Sequence, residues 1–304
     1  MRIVFINSVY FFLILLCSCH HTPDRLAKKG GSNKLISCEQ TLSITKQDIT
    51  PYKIIDIRKN IEYQTGHIPT AINTWRPDYE NKNSSVKGLM ADKNEMQSLL
   101  QKWGVSTNDT LILYDGGGNS NSCRLWWILK QYGFDKVKIL DGGFIRWRQL
   151  GYPLDSLVPK TEPSRISLAD VPFQNYADIE DVQSHIRTNK TLLDSRTLAE
   201  FTGEIKKGPV KRGGHIPNAI RFDWSELVKI GAGENGTFRN SHVIRDKLAQ
   251  LQVTEEDDIV VYCQSGVRSA CVTFVLTEIL GYKNVRNYDG SWLEWSNTNL
   301  DIER

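Results

Sequence analysis

The alternation of apolar and polar positions divides most of the chain into short strand-like runs and longer amphipathic stretches. Apolar runs of strand length occur at Lys53–Ile57, Thr110–Tyr114, Leu192–Asp194 and Ile259–Tyr262. Stretches with a helical period lie near Asn94–Trp103, Leu125–Tyr132 and His242–Leu251. Strands that alternate with helices favour a mostly parallel sheet with helices on both faces. The pattern therefore predicts an α/β fold.

This pattern is written twice along the chain. Gly66–Ile72 reads GHIPTAI and Gly214–Ile220 reads GHIPNAI. The pairs His67 and His215, Asp115 and Cys263, and Asp141 and Asp289 are each 148 positions apart. Self-similarity at a constant offset predicts two homologous domains, each with a mostly parallel sheet flanked by helices. We place them at residues 35–155 and 176–304, joined by a linker at 156–175 that contains three prolines.

One loop of the second copy carries the residues typical of a reactive thiol. Cys263 directly follows the apolar run Ile259–Tyr262, and Gly266 and Arg268 lie in the same loop. A strand, a tight loop and a helix together direct backbone N–H groups at one point. A nearby cation and a helix N-terminus lower a cysteine pKa from about 8.5 into roughly the 3.5–7.5 range. A cysteine after a strand is often only a small buried hydrophobe, but this glycine and arginine favour a nucleophile.

Together with the stretch Asp289–Trp295, this loop resembles the two-domain rhodaneses, the thiosulfate and 3-mercaptopyruvate sulfurtransferases, over nearly everything after about Leu35. The resemblance implies two rhodanese-like domains, a catalytic Cys263 that carries sulfur as a persulfide, a small anionic sulfur donor, and cyanide or a thiol as acceptor. The candidate substrate-binding residues are Gln264, Ser265, Gly266, Val267, Arg268, Ser269, Arg196 and Arg212.

Each copy serves as a control on the other, because a residue present in both is most simply explained by the fold. The repeated pairs Asp56–Arg58 and Asp194–Arg196 therefore predict structural ion pairs, although Arg196 stays among the substrate-binding candidates. His67 and His215, each in a repeated Gly-His-Ile-Pro segment, are interpreted as scaffold residues. Cys123 and Cys271 are also 148 positions apart, which predicts core packing for both.

The copies differ where chemistry is expected. Asp115 stands in place of Cys263, and Ser120 in place of Arg268, so the first domain is predicted to be catalytically silent. The resemblance implies that it completes the cleft. The second copy also has ten extra residues between its aspartate and its histidine, including Lys206, Lys207, Lys211 and Arg212. They are either a solvated loop or a cationic rim that attracts an anionic donor.

Three hypotheses about the function stay open. The first is sulfur transfer from a small anionic donor. Thiosulfate is the favoured donor, with 3-mercaptopyruvate as the alternative. A cysteine-dependent phosphatase would place its arginine six positions after the cysteine, whereas Arg268 lies five positions after Cys263. A non-catalytic binding lipoprotein is the third reading, and the presence of the Cys263–Arg268 combination in one copy only argues against it.

Composition narrows the partners. Of the 304 residues, 40% are hydrophobic and 24% are charged, which is ordinary for a globular protein. A net charge of +3 without a dense basic cluster predicts no nucleic-acid partner. Six cysteines in this length do not form a disulfide scaffold. No Cys/His cluster has metal-ligand spacing, so we expect neither metal nor cofactor, and we expect a monomer.

The amino-terminal residues predict export. Ile3–Leu16 is almost wholly apolar, is preceded by Arg2, and is too short for a comfortable membrane span. It leads into Leu16-Cys17-Ser18-Cys19, which resembles a bacterial lipobox with Cys19 as the lipidated residue. We therefore predict a signal peptide at 1–18, a tether at 19–34 and a membrane-anchored lipoprotein on the periplasmic or cell-surface side.

Replacing Cys19 by Ala is expected to release the protein from membranes, because several acyl chains anchor firmly and an unacylated chain does not. Fractionation of the producing cells, with mass spectrometry of the mature terminus, measures this. Cys17→Ala is the matched control and is expected to stay with the membranes. A soluble wild-type protein with an unmodified terminus would contradict the prediction.

Overall fold

The computed structural model describes residues 33–47 and 51–304. Within these ranges no helix is both long and apolar enough to cross a membrane. The predicted signal peptide at 1–18, the lipidation site Cys19 and residues 20–32 of the tether lie outside the described residues.

The first half runs from one short edge strand to a helix that precedes the linker. Its elements are β1 (Leu35–Ile36), α1 (Cys38–Gln47), β2 (Tyr52–Asp56), α2 (Asn60–Gln64), β3 (Ile72–Asn73), a 3-10 helix (Arg76–Tyr79), α3 (Lys93–Lys102), β4 (Thr110–Tyr114), α4 (Ser120–Gln131), β5 (Val137–Leu140) and α5 (Gly143–Gln149).

The second half repeats this order. Its elements are β6 (Tyr176–Ala177), α6 (Ile179–Arg187), β7 (Thr191–Asp194), α7 (Leu198–Phe201), β8 (Ile220–Arg221), a 3-10 helix (Trp224–Leu227), α8 (Ser241–Gln250), β9 (Ile259–Tyr262), α9 (Val267–Phe274) with a π-helical extension (Val275–Ile279), β10 (Val285–Tyr288) and α10 (Ser291–Trp295). The described residues 156–173 form neither helix nor strand.

Each half is built on a parallel sheet of five strands. The strand orders are β1-β5-β4-β2-β3 and β6-β10-β9-β7-β8, so the same topology occurs twice. The central strands are short apolar runs because both of their faces are covered, and every residue of β9 is buried. The predicted α/β fold with two parallel, helix-flanked sheets is confirmed.

Buried ion pairs support the loops at the carboxyl edge of each sheet. Arg58 Nη2 lies 2.5 Å from Asp56 Oδ2, and Arg196 Nη2 lies 2.6 Å from Asp194 Oδ2. Each guanidinium also donates to a carbonyl of the repeated glycine, Gly66 or Gly214. These contacts are the structural ion pairs that the repeat predicts, since they fasten the Gly-His-Ile-Pro segment to the strand end.

The two repeated histidines are part of the same scaffold. His67 stacks on Tyr63 with ring centroids 3.8 Å apart, and His215 stacks on Phe201 at 3.6 Å. In each case the ring Nδ1 lies within 3.0 Å of the carbonyl oxygen of the stacked residue. Both histidines are buried, which agrees with their interpretation as scaffold residues.

The halves share one apolar core in which α4 packs against α9. Trp126 of α4 packs edge to face against Phe274 of α9, with ring centroids 4.9 Å apart. Cys123 and Cys271 are fully buried in this core. Burial raises the pKa of the Cys123 thiol well above its ordinary value, so the thiol stays protonated. Both cysteines pack as the repeat predicts.

Polar contacts also join the two halves, and equivalent contacts differ between the two repeats. The Met90 N–H donates to Asp289 Oδ2 at 3.0 Å, and the equivalent Phe238 N–H donates to Asp141 Oδ1 at 2.9 Å. Arg124 Nη2 lies 2.5 Å from Asp289 Oδ1, whereas Asp141 forms no ion pair with any residue of the described ranges 33–47 and 51–304. Both members of this ion pair are almost fully buried.

Replacing Arg124 by Ala is expected to lower the free energy of unfolding by about 3–5 kcal/mol, because it leaves Asp289 buried without its cation. Urea denaturation measures this. Lys93→Ala is the control, since Lys93 pairs with an Asp170 that is 90% exposed, and it is expected to cost at most about 1 kcal/mol. Equal losses in the two variants would show that the ion pair between the halves is unimportant.

Candidate active site

Cys263 lies at the end of β9, where the chain turns sharply into α9. The turn depends on Gly266, whose φ of +76° is unfavourable for other residues. A Cβ on this glycine would also lie 2.9 Å from the Asp289 carbonyl oxygen and 2.7 Å from Arg124 Nη1. Ser291 ties the turn together, because its Oγ accepts from the N–H groups of Cys263 at 3.2 Å and Gly266 at 3.0 Å.

The Cys263 thiol is 1% exposed and is surrounded by hydrogen-bond donors. Ser269 Oγ donates to Sγ at 3.4 Å, and the backbone N–H groups of Ser265 and Ser269 point at the same atom. Burial would raise the pKa of this thiol, but the charge of Arg268 and the hydrogen bonds from Ser269 and Ser265 outweigh burial and place the pKa below its ordinary value. The arrangement therefore stabilises a buried thiolate.

Arg268 is held in place by a carboxylate that sequence reasoning missed. Its Nη1 and Nη2 donate to Glu200 Oε2 and Oε1 at 2.7 and 2.8 Å. Burial opposes ionisation of Glu200, yet the hydrogen bonds and charge of Arg268 lower its pKa to about 2. A bidentate fork fixes the plane of the guanidinium. Glu200 thus sets the direction from which Arg268 faces the thiolate.

Ser291 is the second residue that sequence reasoning missed. Its position corresponds to Gly143 in the first half, 148 positions earlier, so the difference between the copies was visible in the sequence. Glu200 had a weaker signal, because it completes a capping box with Thr197 and therefore has the pattern of an ordinary helix start.

Gln264 and Ser265 of the loop contact segments that lie outside it. Gln264 Nε2 donates to the carbonyl of Lys207, so the ten extra residues of the second half contact the loop through their backbone. Ser265 Oγ accepts a hydrogen bond of 2.8 Å from Arg76 Nη2 of the first half. Both loop side chains, like Val267, are 8% exposed. Cys263 to Ser269 thus form one mostly buried loop, and their roles in catalysis and substrate binding stay predictions.

Two candidate substrate-binding residues need correction. Arg196 is 1% exposed, pairs with Asp194, and lies over the rings of Tyr262 and Trp292, so it supports the fold and faces no open space. Arg212 donates to the carbonyls of Trp295, Ser296 and Leu300, and therefore caps the end of α10. Both guanidinium groups are committed to the protein itself.

The loop of the first half has the same place in the fold, after β4 and before α4, but it is filled by its own side chain. Asp115 Oδ1 accepts from the N–H groups of Gly117 at 3.0 Å and Asn119 at 3.2 Å. Asp115 Oδ2 accepts from Asn121 at 3.0 Å and Ser122 at 3.3 Å. Gly117 and Asn121 correspond to Ser265 and Ser269, whose N–H groups face the thiol in the second half. The carboxylate therefore occupies the donors that a thiolate uses in the other copy.

In the described ranges 33–47 and 51–304, no cluster of three or more His, Cys, Asp or Glu side chains could hold a metal ion.

Comparison with known proteins defines the class. The model of the rhodanese-like domain matches residues 41–150 and again 178–298. The chain therefore belongs to the rhodanese family, and relatives of 32–35% identity that are named thiosulfate sulfurtransferases make it an enzyme of the sulfurtransferase type.

Curated relatives span most of the chain. One from Haloferax volcanii, named "Putative thiosulfate sulfurtransferase", is 32% identical over 267 residues, which is 85% of this chain and 91% of the relative. A Mycobacterium tuberculosis protein of the same name is 35% identical over 240 residues, with coverages of 77% and 84%. The sulfur carrier protein TtuD of Thermus thermophilus is 33% identical over 259 residues, with coverages of 81% and 88%.

Solved structures share the fold. An anaerobic ergothioneine biosynthesis enzyme from Chlorobium limicola superimposes with a TM-score of 0.78 at 23% identity, over 89% of this chain and 70% of that chain. The crystal structure of YnjE gives a TM-score of 0.75 at 22% identity, with coverages of 89% and 68%.

Replacing Arg268 by Gln is expected to raise the pKa of Cys263, because the cation that favours the thiolate is removed. Since only the thiolate is alkylated, the rate of iodoacetamide modification against pH should shift to higher pH. A shift of about one unit corresponds to about 1.4 kcal/mol of lost interaction. Arg187→Gln, on the exposed end of α6, is the control and should leave the profile in place. An unchanged profile in Arg268→Gln would show that the loop N–H groups alone hold the thiolate.

Proposed function

We propose that Cys263 transfers sulfane sulfur by double displacement. The thiolate attacks the outer sulfur of a donor such as thiosulfate, the sulfur–sulfur bond of the donor breaks, and sulfite leaves with the bonding electron pair. Cyanide or a thiol then takes the outer sulfur of the resulting persulfide, and the Cys263 thiolate is restored. The observation that carries this proposal is a buried thiol whose sulfur faces the N–H groups of Ser265 and Ser269 and the hydroxyl of Ser269.

Such an environment suits a persulfide as well as a thiolate. The outer sulfur of an ionised persulfide carries the negative charge about one sulfur–sulfur bond further out, so it needs donors around a small cavity. Preorganised N–H groups stabilise that charge without reorganisation. Gln264, Gly266 and Val267 supply the rest of this backbone loop, and Arg268 adds a fixed positive charge.

Thiosulfate is the donor we favour. The curated relatives from Haloferax volcanii and Mycobacterium tuberculosis are named for it. Ser265 in the loop leaves 3-mercaptopyruvate as the alternative. The name of the Thermus thermophilus relative, a sulfur carrier protein, agrees with a sulfur atom that is held on the enzyme until a thiol acceptor arrives.

The position of Arg268 weakens the phosphatase reading. Both terminal nitrogens of its guanidinium donate to Glu200, so neither is free to grip a phosphoryl oxygen in a bidentate manner. These contacts support sulfur transfer, in which the entering atom is small and the arginine acts through its charge.

We also keep the proposal that the mature chain is an exported lipoprotein anchored through Cys19. It rests on the lipobox-like residues of the amino terminus. Sulfur transfer by the folded halves does not depend on it.

Replacing Cys263 by Ser is expected to reduce sulfur transfer from thiosulfate to cyanide by about a thousandfold or more, because the nucleophile is lost. Mass spectrometry of the thiosulfate-treated wild-type protein should find one added sulfur, on Cys263. Steady-state assays with thiosulfate, 3-mercaptopyruvate and a phosphate monoester as parallel substrates measure which donor is used and whether a phosphate ester is hydrolysed.

Cys271→Ala is the matched control. It removes another buried thiol and should cost about 1–2 kcal/mol of stability while leaving the added sulfur on Cys263. Sulfur found on any cysteine other than Cys263 would contradict the assignment.

A further inference from the structure

An arginine of the first half lies against the active-site loop. Arg76 begins the 3-10 helix Arg76–Tyr79, and its Nη2 donates to Ser265 Oγ at 2.8 Å. The side chain is 30% exposed, and its Nε pairs with Glu80. Nη1 has no hydrogen-bond partner among residues 33–47 and 51–304. A guanidinium has five N–H donors, so this one is anchored and still has donors to offer.

The backbone around Arg76 is shaped to let it reach the loop. Gly88 has a φ of +89°, and a Cβ there would lie 3.0 Å from Arg76 Nη2 and 3.1 Å from Ser265 Cβ. Any other residue would therefore press on the contact between the halves. The Gly88 carbonyl accepts a 2.8 Å hydrogen bond from Arg124, which fixes the segment beside the loop.

The repeat shows that this arginine is specific to the active loop. The residue 148 positions after Arg76 is Trp224, and the residue 148 positions before Ser265 is Gly117. The Trp224 ring lies beside the silent loop, with its ring carbon Cη2 3.2 Å from where a Cβ of Gly118 would lie. The silent loop, in which Asp115 fills the place of an anion, therefore lacks counterparts of both Arg76 and Ser265.

The charges around the thiol leave a role for a second cation. Arg268 is mostly buried and forms a bidentate pair with Glu200, so its charge is largely balanced by that carboxylate. A donor of the thiosulfate class brings negative charge of its own towards a site that already holds a thiolate. An exposed guanidinium opposite the loop lowers that repulsion, and it matches an oxyanion in geometry as well as charge.

We propose that Arg76 binds the oxyanion end of the sulfur donor, so that the silent first domain supplies part of the donor site. This inference rests on the proposed sulfur transfer at Cys263. It names the substrate class of the site as donors whose leaving group is a small oxyanion, such as sulfite, and it gives the first domain a direct contact with the substrate.

The first test uses two alkylating agents, because they probe anion binding without sulfur chemistry. Iodoacetate carries a carboxylate and iodoacetamide is neutral, and both react with the Cys263 thiolate. In the full chain, Arg76→Ala is expected to lower the ratio of the iodoacetate rate to the iodoacetamide rate by about 10-fold or more, the size expected for a hydrogen bond to a charged group. Arg76→Lys should recover part of the ratio, and the exposed Arg148→Ala should leave it unchanged.

The second test is turnover with thiosulfate. Arg76→Ala should raise KM by about 10- to 100-fold while kcat changes little, because the cation binds the donor and does not activate the thiolate. A thermal unfolding midpoint close to the wild-type value shows that the variant is folded. Should the alanine variant unfold, Arg76→Gln removes the charge while it keeps most of the side chain, and it is expected to raise KM in the same way.

Several outcomes would overturn the proposal. An unchanged ratio and an unchanged KM in Arg76→Ala remove the anion site. Equal slowing with both alkylating agents assigns Arg76 to the shape of the loop and not to the donor. A wild-type chain that prefers iodoacetate through Arg76 but gains no sulfur from thiosulfate overturns the proposed function while it still locates an anion site at Arg76.

Discussion

A single buried carboxylate joins the two halves at the point where the chemistry is expected. Asp289 accepts from Arg124 and from the Met90 N–H, and Arg124 also contacts the carbonyls of Gly88 and Gly266. An ionised carboxylate with 3% exposure is tolerated only when it is paired and hydrogen-bonded. The packing of the halves and the shape of the active loop therefore depend on the same ion pair.

The thiol shows how opposing electrostatic effects are balanced. Burial favours the neutral form of Cys263, and a surface cysteine would gain nothing from the loop donors because water competes for them. Inside the protein the same donors are worth more, and the charge of Arg268 adds to them. Glu200 limits this gain, since its carboxylate partly cancels the arginine. The net result is a Cys263 pKa below the ordinary value of a cysteine. Because nucleophilicity falls when the pKa becomes too low, opposing effects of this kind suit the proposed nucleophile.

How far the sequence predicted this arrangement depends on the range of each contact. The strand Ile259–Tyr262, the loop after it and the repeated ion pairs are local patterns, and the constant offset of 148 placed their counterparts. Ser291 could have been found in the same way, since glycine replaces it in the first half. Arg76 and Arg124 could not, because their partners Ser265 and Asp289 lie more than a hundred positions away and carry no local signal.

The error at Arg212 has a related cause. A cluster of basic residues in an insertion indicates charge but not direction, and Arg212 turns inward to the carbonyl groups at the end of α10. Glu200 was overlooked for the opposite reason. By the offset of the repeated Asp-x-Arg motif its counterpart is Glu62, so a residue that differs in role does not differ in type. Comparison of the two copies detects positions where the residue type changes. It does not detect positions where the same residue type has a different partner.

Asp115 gives the duplicated loop a property that the catalytic loop cannot share. Its carboxylate is a permanent occupant, so the four N–H groups that surround it are satisfied whether or not any solute is present. Under the proposed sulfur transfer, the loop around Cys263 would instead bind and release a sulfur atom in every cycle. One copy of the repeated loop is thus satisfied by its own side chain, whereas the other is proposed to exchange what it binds. A duplicated loop can therefore be permanently filled in one half and exchange its ligand in the other half of the same chain.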